Sequence, residues 1–256
     1  MTRVAAIALN TAREAIRNKI LYSIVFFAVL VIAIAALFGS VSMGDQMKFI
    51  KDFSLMSISL FGVIIAVVLG VNMLNKELGK KTIYNILSKP VARWQFILGK
   101  FFGLFATLTL IVVLMCTALV LFVALFEGRP DWGLVWASVT ALLELMVIVA
   151  VALFFSSIVV TPTLAGLFTA AAFIAGRSSV YLQYFFADEH PPALRALAYG
   201  LYWVLPHLDR LNVNDQVVYG AHLDVQYWLA VVVYSVSYTA LLLLLSAALF
   251  ARREFA

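Results

Sequence analysis

The chain has 256 residues, 64% of them hydrophobic and only 12% charged, with a formal net charge of +5, and its mean hydropathy is +1.04. Soluble domains carry about 25% charged residues, so this composition excludes a water-soluble globular protein and points to an integral membrane protein. The single cysteine, Cys116, excludes an intrachain disulfide or a thiolate metal cluster.

Residues 1–19 place Arg3, Asn10, Arg13, Glu14 and Arg17 on one arc of a helical wheel, with Val4, Ala5, Ala8, Leu9, Ala12, Ala15 and Ile16 on the other side. This predicts an amphipathic helix lying along the inner membrane surface; the alternative is a basic tail that only sets topology. Cations before an apolar run also mark signal peptides. The run at 20–39, however, exceeds the roughly 7–15 apolar residues of a cleavable segment and is read as a retained span. At about 20 apolar residues per crossing, the sequence predicts six spans, at 20–39, 53–74, 101–126, 134–157, 163–186 and 227–250. Helices are expected because backbone groups facing lipid must be satisfied within the segment, and the runs lack the polar alternation of a barrel strand.

Orientation follows from the cations. With both termini inside, the segments 1–19, 75–100 and 251–256 carry twelve basic and three acidic residues, whereas the outer segments, Arg177 included, carry six basic and nine acidic. Lys and Arg are retained on the cytoplasmic side, so six spans with both ends cytoplasmic are expected. The longest segment outside the spans, 187–226, is external. It contains a stretch too short and too interrupted by Pro191, Pro192 and Pro206 to cross, whose Tyr199, Tyr202 and Trp203 suit a helix resting at the outer interface.

Six of the eighteen cations fall between 76 and 100, in KELGKKTIYNILSKPVARWQFILGK. Within it Ile83, Ile86 and Leu87 stand at i, i+3 and i+4, which predicts a short helix over 77–88 with one apolar and one basic face. Pro90 ends it, and Trp94 marks the return to the bilayer. Such a helix, held below the membrane by two spans, is suited to receive a push from a cytoplasmic partner. The apolar face would dock in a groove and the cations would add specificity. The plainer alternative is that the cations only enforce orientation.

Glu144 falls in the fourth span and Arg177 in the fifth, at similar depth, and a carboxylate there is costly enough that function or pairing is expected. The two are expected to pair within one chain or across a dimer; the alternative is that the fifth span ends near Gly176 and Arg177 meets water. The pairs His207-x-Asp209 and His222-x-Asp224 have metal-ligating side chains, but surface histidines are commoner and no metal is expected. GxSxG, HExxH and paired-cysteine motifs are lacking, so no enzyme activity is expected. The tempting Gly79-Lys80-Lys81-Thr82 is no phosphate-binding loop, because Leu74 stands where that loop needs its first glycine.

The order Glu77, Lys81-Thr82, Leu87, Ser88, Pro90, Arg93, Gly99, Lys100 resembles the first cytoplasmic loop of permease subunits of the type-two ATP-binding-cassette (ABC) exporter family, with Gly79 displaced from the commoner Gly-Thr position. The lead-in helix, six spans, external segment and basic end at Arg252 and Arg253 resemble that family's architecture. The resemblance implies an all-α membrane permease whose interfacial elbow helix precedes six spans. Its coupling helix lies between spans two and three, and Glu77, Lys81, Thr82, Ile83, Ile86, Leu87, Pro90 and Arg93 contact the motor. It further implies a homodimer or heterodimer in the cytoplasmic membrane, with separate ATPase subunits that hold the ATP and Mg. There is room for an external accessory protein, and no cofactor in this chain and no nucleic-acid partner are expected. The rival readings are a non-transporting membrane scaffold or immunity-type protein, and a six-helix channel, whose pore would need polar faces along several spans.

Overall fold

The computed structural model describes residues 3–19, 21–22, 25–26, 29–30, 33–34, 46–79, 92–159, 161–186, 191–219 and 224–252, with the side chains of 73–79 and 251–252 also left undescribed. The expected first span, 20–39, therefore lies mostly outside the described residues, although those described between 21 and 34 are helical. Lys81, Thr82, Ile83, Ile86, Leu87 and Pro90 of the expected coupling helix lie outside them, as does His222.

Helix α1 (Arg3–Ile16) is followed by α2 (Gln46–Gly79), α3 (Arg93–Glu127), α4 (Trp132–Ile158), α5 (Pro162–Arg177) and the short α6 (Ser179–Leu182), which runs into a 3-10 turn at Gln183–Phe186. Then come α7 (Pro192–Val204), a second 3-10 turn (Leu208–Leu211), α8 (Asn214–Val218) and α9 (Val225–Arg252). No strand occurs among the described residues.

Helix α4 is the central post. Every residue from 144 to 153 is buried, and α2, α3, α5 and α9 all pack against it. In lipid, an apolar surface alone gives helices no reason to associate, so close backbone approach through small residues has to supply the contact energy. Helix α2 meets this need with a small residue every fourth position, Gly62, Ala66 and Gly70: a Cβ on Gly62 would stand 2.8 Å from a Leu145 methyl, and one on Gly70 would stand 2.8 Å from the Ala152 Cβ.

The α3–α4 connection is tight. Gly128 takes a left-handed φ of 71° and its N–H closes on the Ala124 carbonyl at 2.9 Å, the usual glycine ending of a helix. Asp131 then caps α4 by accepting from the Gly133 N–H at 2.9 Å. The same carboxylate and that of Glu127 hold Lys51 Nζ at 2.9 and 2.7 Å, which ties the start of α2 to this turn.

Two differences from the sequence expectation matter for function. First, α2 and α3 have 34 and 35 residues, about 51 and 52 Å at 1.5 Å per residue, whereas the hydrocarbon core is roughly 30 Å thick. The apolar run of α2 reaches Leu74 and is followed by Asn75, Lys76 and Glu77, so residues 75–79 carry the helix on by about 7.5 Å. The end of α2 and the start of α3 lie at the end of the bundle that holds α1, the basic end. Second, the expected fifth span, 163–186, is not continuous: α5 stops at Arg177, and Ser179–Phe186 leaves at 64° to it. The break is fixed from outside the helix. Gly176 lies so close to the second 3-10 turn that a Cβ there would be 2.5 Å from the Pro206 carbonyl oxygen, and Ser179 Oγ donates to Asp209 at 2.6 Å.

Beyond the break, 183–186 and 191–211 form a cap over the far end. Pro192 sits in the first turn of α7, where its missing N–H costs nothing, and the helix ends ahead of Pro206. The Phe186 ring stacks on Tyr199 with centroids 4.0 Å apart, Tyr238 donates its hydroxyl to the Val204 carbonyl at 2.9 Å, and the His207 N–H donates to Tyr234 Oη at 2.7 Å.

Candidate functional site

Two places bring chemistry-bearing side chains together. The first lies in the middle of the bundle. Glu144, half-way along α4, accepts from Arg177 Nη1 at 2.5 Å through one carboxylate oxygen and from Ser59 Oγ at 2.9 Å through the other. Arg177 Nη1 also reaches Ser59 Oγ at 3.2 Å, and the guanidinium carbon lies 6.0 Å from the centre of the Phe173 ring. The Glu144 side chain is 2% exposed and that of Arg177 26%. Three helices, α2, α4 and α5, are thus joined through one charged triangle inside a single chain.

Both alternatives raised for Arg177 contain part of the arrangement: α5 does end there, and the side chain still turns inward to the carboxylate. Its position at the end of α5 lets the guanidinium reach Glu144 while its stem stays near the wetter cap. Ser59 was not legible as a partner, because Ser54 and Ser57 stand beside it in the same run and nothing in sequence singles out the one facing α4.

The second place is the basic end. Helix α1 packs along the start of α3 through a glycine pair four residues apart, Gly99 and Gly103. A Cβ on Gly99 would lie 2.6 Å from Ile7 Cβ, and one on Gly103 2.5 Å from the Ala8 carbonyl oxygen. The predicted amphipathic helix therefore gives one edge (Val4, Ile7, Ala8, Thr11, Ala15) to the bundle, while Arg3, Asn10, Arg13 and Arg17 stay exposed. Gly103→Leu has to push a backbone carbonyl aside. It is expected to cost about 1–3 kcal/mol and to make residues 1–19 accessible to protease, whereas Gly200→Leu, in open space on α7, leaves digestion unchanged.

Arg93, the one expected motor-contacting residue whose side chain is described, lies at the first turn of α3. Its Nη1 donates to the Phe250 carbonyl at 3.1 Å, and the Phe96 and Phe250 rings stack at 5.8 Å, so α3 and α9 are joined at this end. Gln95 Oε1 accepts from the Ala92 N–H at 3.2 Å and covers one of the free donors at the start of α3. Lys100, 1% exposed, is folded with its Nζ 5.7 Å from the Phe96 ring. Glu77 is on the projecting last turns of α2, its side chain outside the described set.

The His207-x-Asp209 pair is used for structure. Asp209 accepts from Ser179, the His207 ring meets Tyr202 edge-on at 4.2 Å, and no group of three or more metal-ligating side chains occurs among the described residues. Burial pushes the His207 imidazole below its usual value, the Arg210 cation pushes the same way, and Asp209 opposes them. A lowered folded-state pKa means that the unfolded cap binds the proton more readily. Stability from this site is therefore present above about pH 6.5 and is lost as pH falls through the folded value. Amide protection factors across 192–211, with the intrinsic pH dependence of exchange divided out, are expected to fall between pH 7.5 and pH 5.5, and His207→Phe is expected to remove that fall.

Long helices joined through small residues around a buried ion pair define a polytopic α-helical membrane protein. Among the described residues four helices are long and apolar enough to cross a bilayer, or five if the bent pair counts as one span. The chain belongs to the ABC-2 family of transporter proteins, whose model matches residues 5–255, so it is a permease of the ABC transporter type, a class that works with ATPase subunits. No curated protein shows a sequence match to it.

Proposed function

We propose that this chain is the permease subunit of an ABC exporter. It works as a homodimer or heterodimer in the cytoplasmic membrane, with both termini inside and ATP hydrolysed with Mg by separate cytoplasmic subunits. The observation that carries this reading is the length of α2 and α3, 34 and 35 residues, on either side of the segment where the sequence concentrates its cations, in a chain that matches the family over nearly its whole length. Two long helices joined by the segment 80–91 make a lever pair. Closure of the ATPases on the 77–88 segment would displace one against the other.

The packing suggests how that movement divides. Helix α2 is locked to α4 at Gly62 and Gly70 and to α5 through Ser59 and Arg177, so α2, α4 and α5 would travel as one group. Helix α3 carries α1 on its glycine pair, which makes a second group, and α9, packed on α4 and held to α3 through Arg93, lies between the two. Rocking of one group against the other is a sufficient basis for alternating access. The exposed Leu197, Tyr199 and Trp203 of α7 suit the outer membrane interface.

The test is affinity capture of the tagged chain from native membranes, followed by mass spectrometry and an ATPase assay. An ABC-type ATPase is expected in the complex, with a hydrolysis rate that depends on this chain. A native complex with no nucleotide-hydrolysing subunit would instead favour the membrane-scaffold reading.

A further inference from the structure

A cleft of about 770 Å³ opens between the end of α1 and the flank of α2. Its volume falls within the roughly 300–1,000 Å³ of small-molecule sites. Among the described residues, Arg13, Arg17 and Lys19 line one side together with a single carboxylate, Glu14, while Leu69 and Asn72 of α2 line the other. Arg13 and Arg17 stand one turn apart on the same face of the chain, both exposed, and the Arg17 N–H closes on the Arg13 carbonyl at 3.1 Å, so their spacing is fixed.

We propose that this cleft binds the phosphate headgroup of an anionic phospholipid of the leaflet at the basic end. Three observations converge on that ligand. The described lining has two more positive than negative side chains, which selects a phosphate that carries net charge over a zwitterionic headgroup. The cleft lies near the hydrocarbon boundary: the apolar run of α2 ends at Leu74, two residues past Asn72, and Asn75, Lys76 and Glu77 follow. The phosphate can therefore meet the cations while the acyl chains continue into the hydrocarbon. Basic pockets beside transmembrane helices at this level are a recurrent form of anionic lipid recognition. An acidic surface of a partner protein would approach from water, beyond the polar end of α2, whereas the cleft stands beside Asn72, ahead of that end. Assigning the leaflet to the cytoplasmic side rests on the proposed orientation; the cleft and its charge do not.

Native mass spectrometry of the purified full chain, with phosphatidylglycerol and phosphatidylcholine of identical acyl chains added in equal amounts, tests this without any ATPase. At least fivefold more phosphatidylglycerol than phosphatidylcholine adduct is expected. The excess should disappear in Arg13→Gln/Arg17→Gln, fall in Asn72→Leu, which leaves α1 untouched, and persist in Arg195→Gln on the outer cap. Helical circular dichroism and a single elution peak establish that each variant is folded. Equal adducts of the two lipids, or an excess indifferent to both cleft variants, would overturn the proposal. Displacement of the lipid by millimolar inorganic phosphate would also overturn it, in favour of a free-phosphate site. In a separate pull-down from native membranes, loss of the ATPase from Arg13→Gln/Arg17→Gln with lipid adducts unchanged would assign the surface to the partner protein instead. None of these outcomes bears on whether the chain is a permease.

Discussion

Replacing Glu144 with Met, or Arg177 with Met, is expected to destabilise the protein by about 3–5 kcal/mol each, because each substitution strands the opposite charge in a buried, largely dry setting. The double variant Glu144→Met/Arg177→Met is expected to recover most of that loss, since two apolar side chains of similar length can fill the space without any desolvation cost. The two single costs would then be far from additive, as for any pair in direct contact. The asymmetry in exposure, 2% for the Glu144 side chain and 26% for Arg177, orders the singles. Arg177→Met leaves a carboxylate deep in the bundle with only Ser59 beside it, whereas Glu144→Met leaves a guanidinium that can turn toward the cap. Arg177→Met is therefore expected to be the worse of the two. Thermal unfolding in detergent, followed by circular dichroism, measures all three. A double variant as unstable as the sum of the singles would show that the pair is not a unit.

Restoring stability need not restore transport. In the proposed cycle the triangle of Ser59, Glu144 and Arg177 keeps α2, α4 and α5 in one moving group, so a stable apolar double variant separates a structural role from a mechanical one. If the triangle transmits displacement, the double variant folds and binds its ATPases but exports more slowly.

How far the sequence carried the fold depends on what ends each helix. Apolar length identified the crossings of α2, α3, α4 and α9, because a bilayer imposes a minimum that no short helix meets. It did not show that the helix of α2 begins ahead of the expected crossing at 53: the helix runs through Lys48, Lys51 and Asp52, and Lys51 is held by Glu127 and Asp131. It also read 163–186 as one span, since nothing in Gly176, Arg177 and Ser178 forbids a helix. The break comes from the approach of Pro206 and the bond to Asp209, both more than 25 residues away in sequence. The charges at 144 and 177 were conspicuous because they are rare in lipid. Ser59 was not, because a hydroxyl in a span is common and only tertiary packing decides which one meets a carboxylate.

Glu77→Ala is expected to uncouple nucleotide hydrolysis from transport, with about a tenfold fall in substrate moved per ATP and no change in membrane insertion. The residue lies on α2 three positions beyond Leu74, where the apolar run ends, so it stands outside the hydrocarbon. Tenfold corresponds to about 1.4 kcal/mol, the magnitude of one charge-assisted contact, which is what a single carboxylate meeting a moving partner can supply. Arg93→Ala is expected to act differently, because its guanidinium holds the Phe250 carbonyl. Removing it frees the end of α9 from α3, so hydrolysis should stay coupled to α2 while α9 lags. Transport per ATP should then fall by a smaller factor, and a protease site in the last turn of α9 should open. Reconstituted complexes assayed for both ATP consumption and export give the ratio directly. If Glu77→Ala retains the full ratio, the projecting end of α2 is not where force enters, and the lever reading of α2 and α3 fails with it.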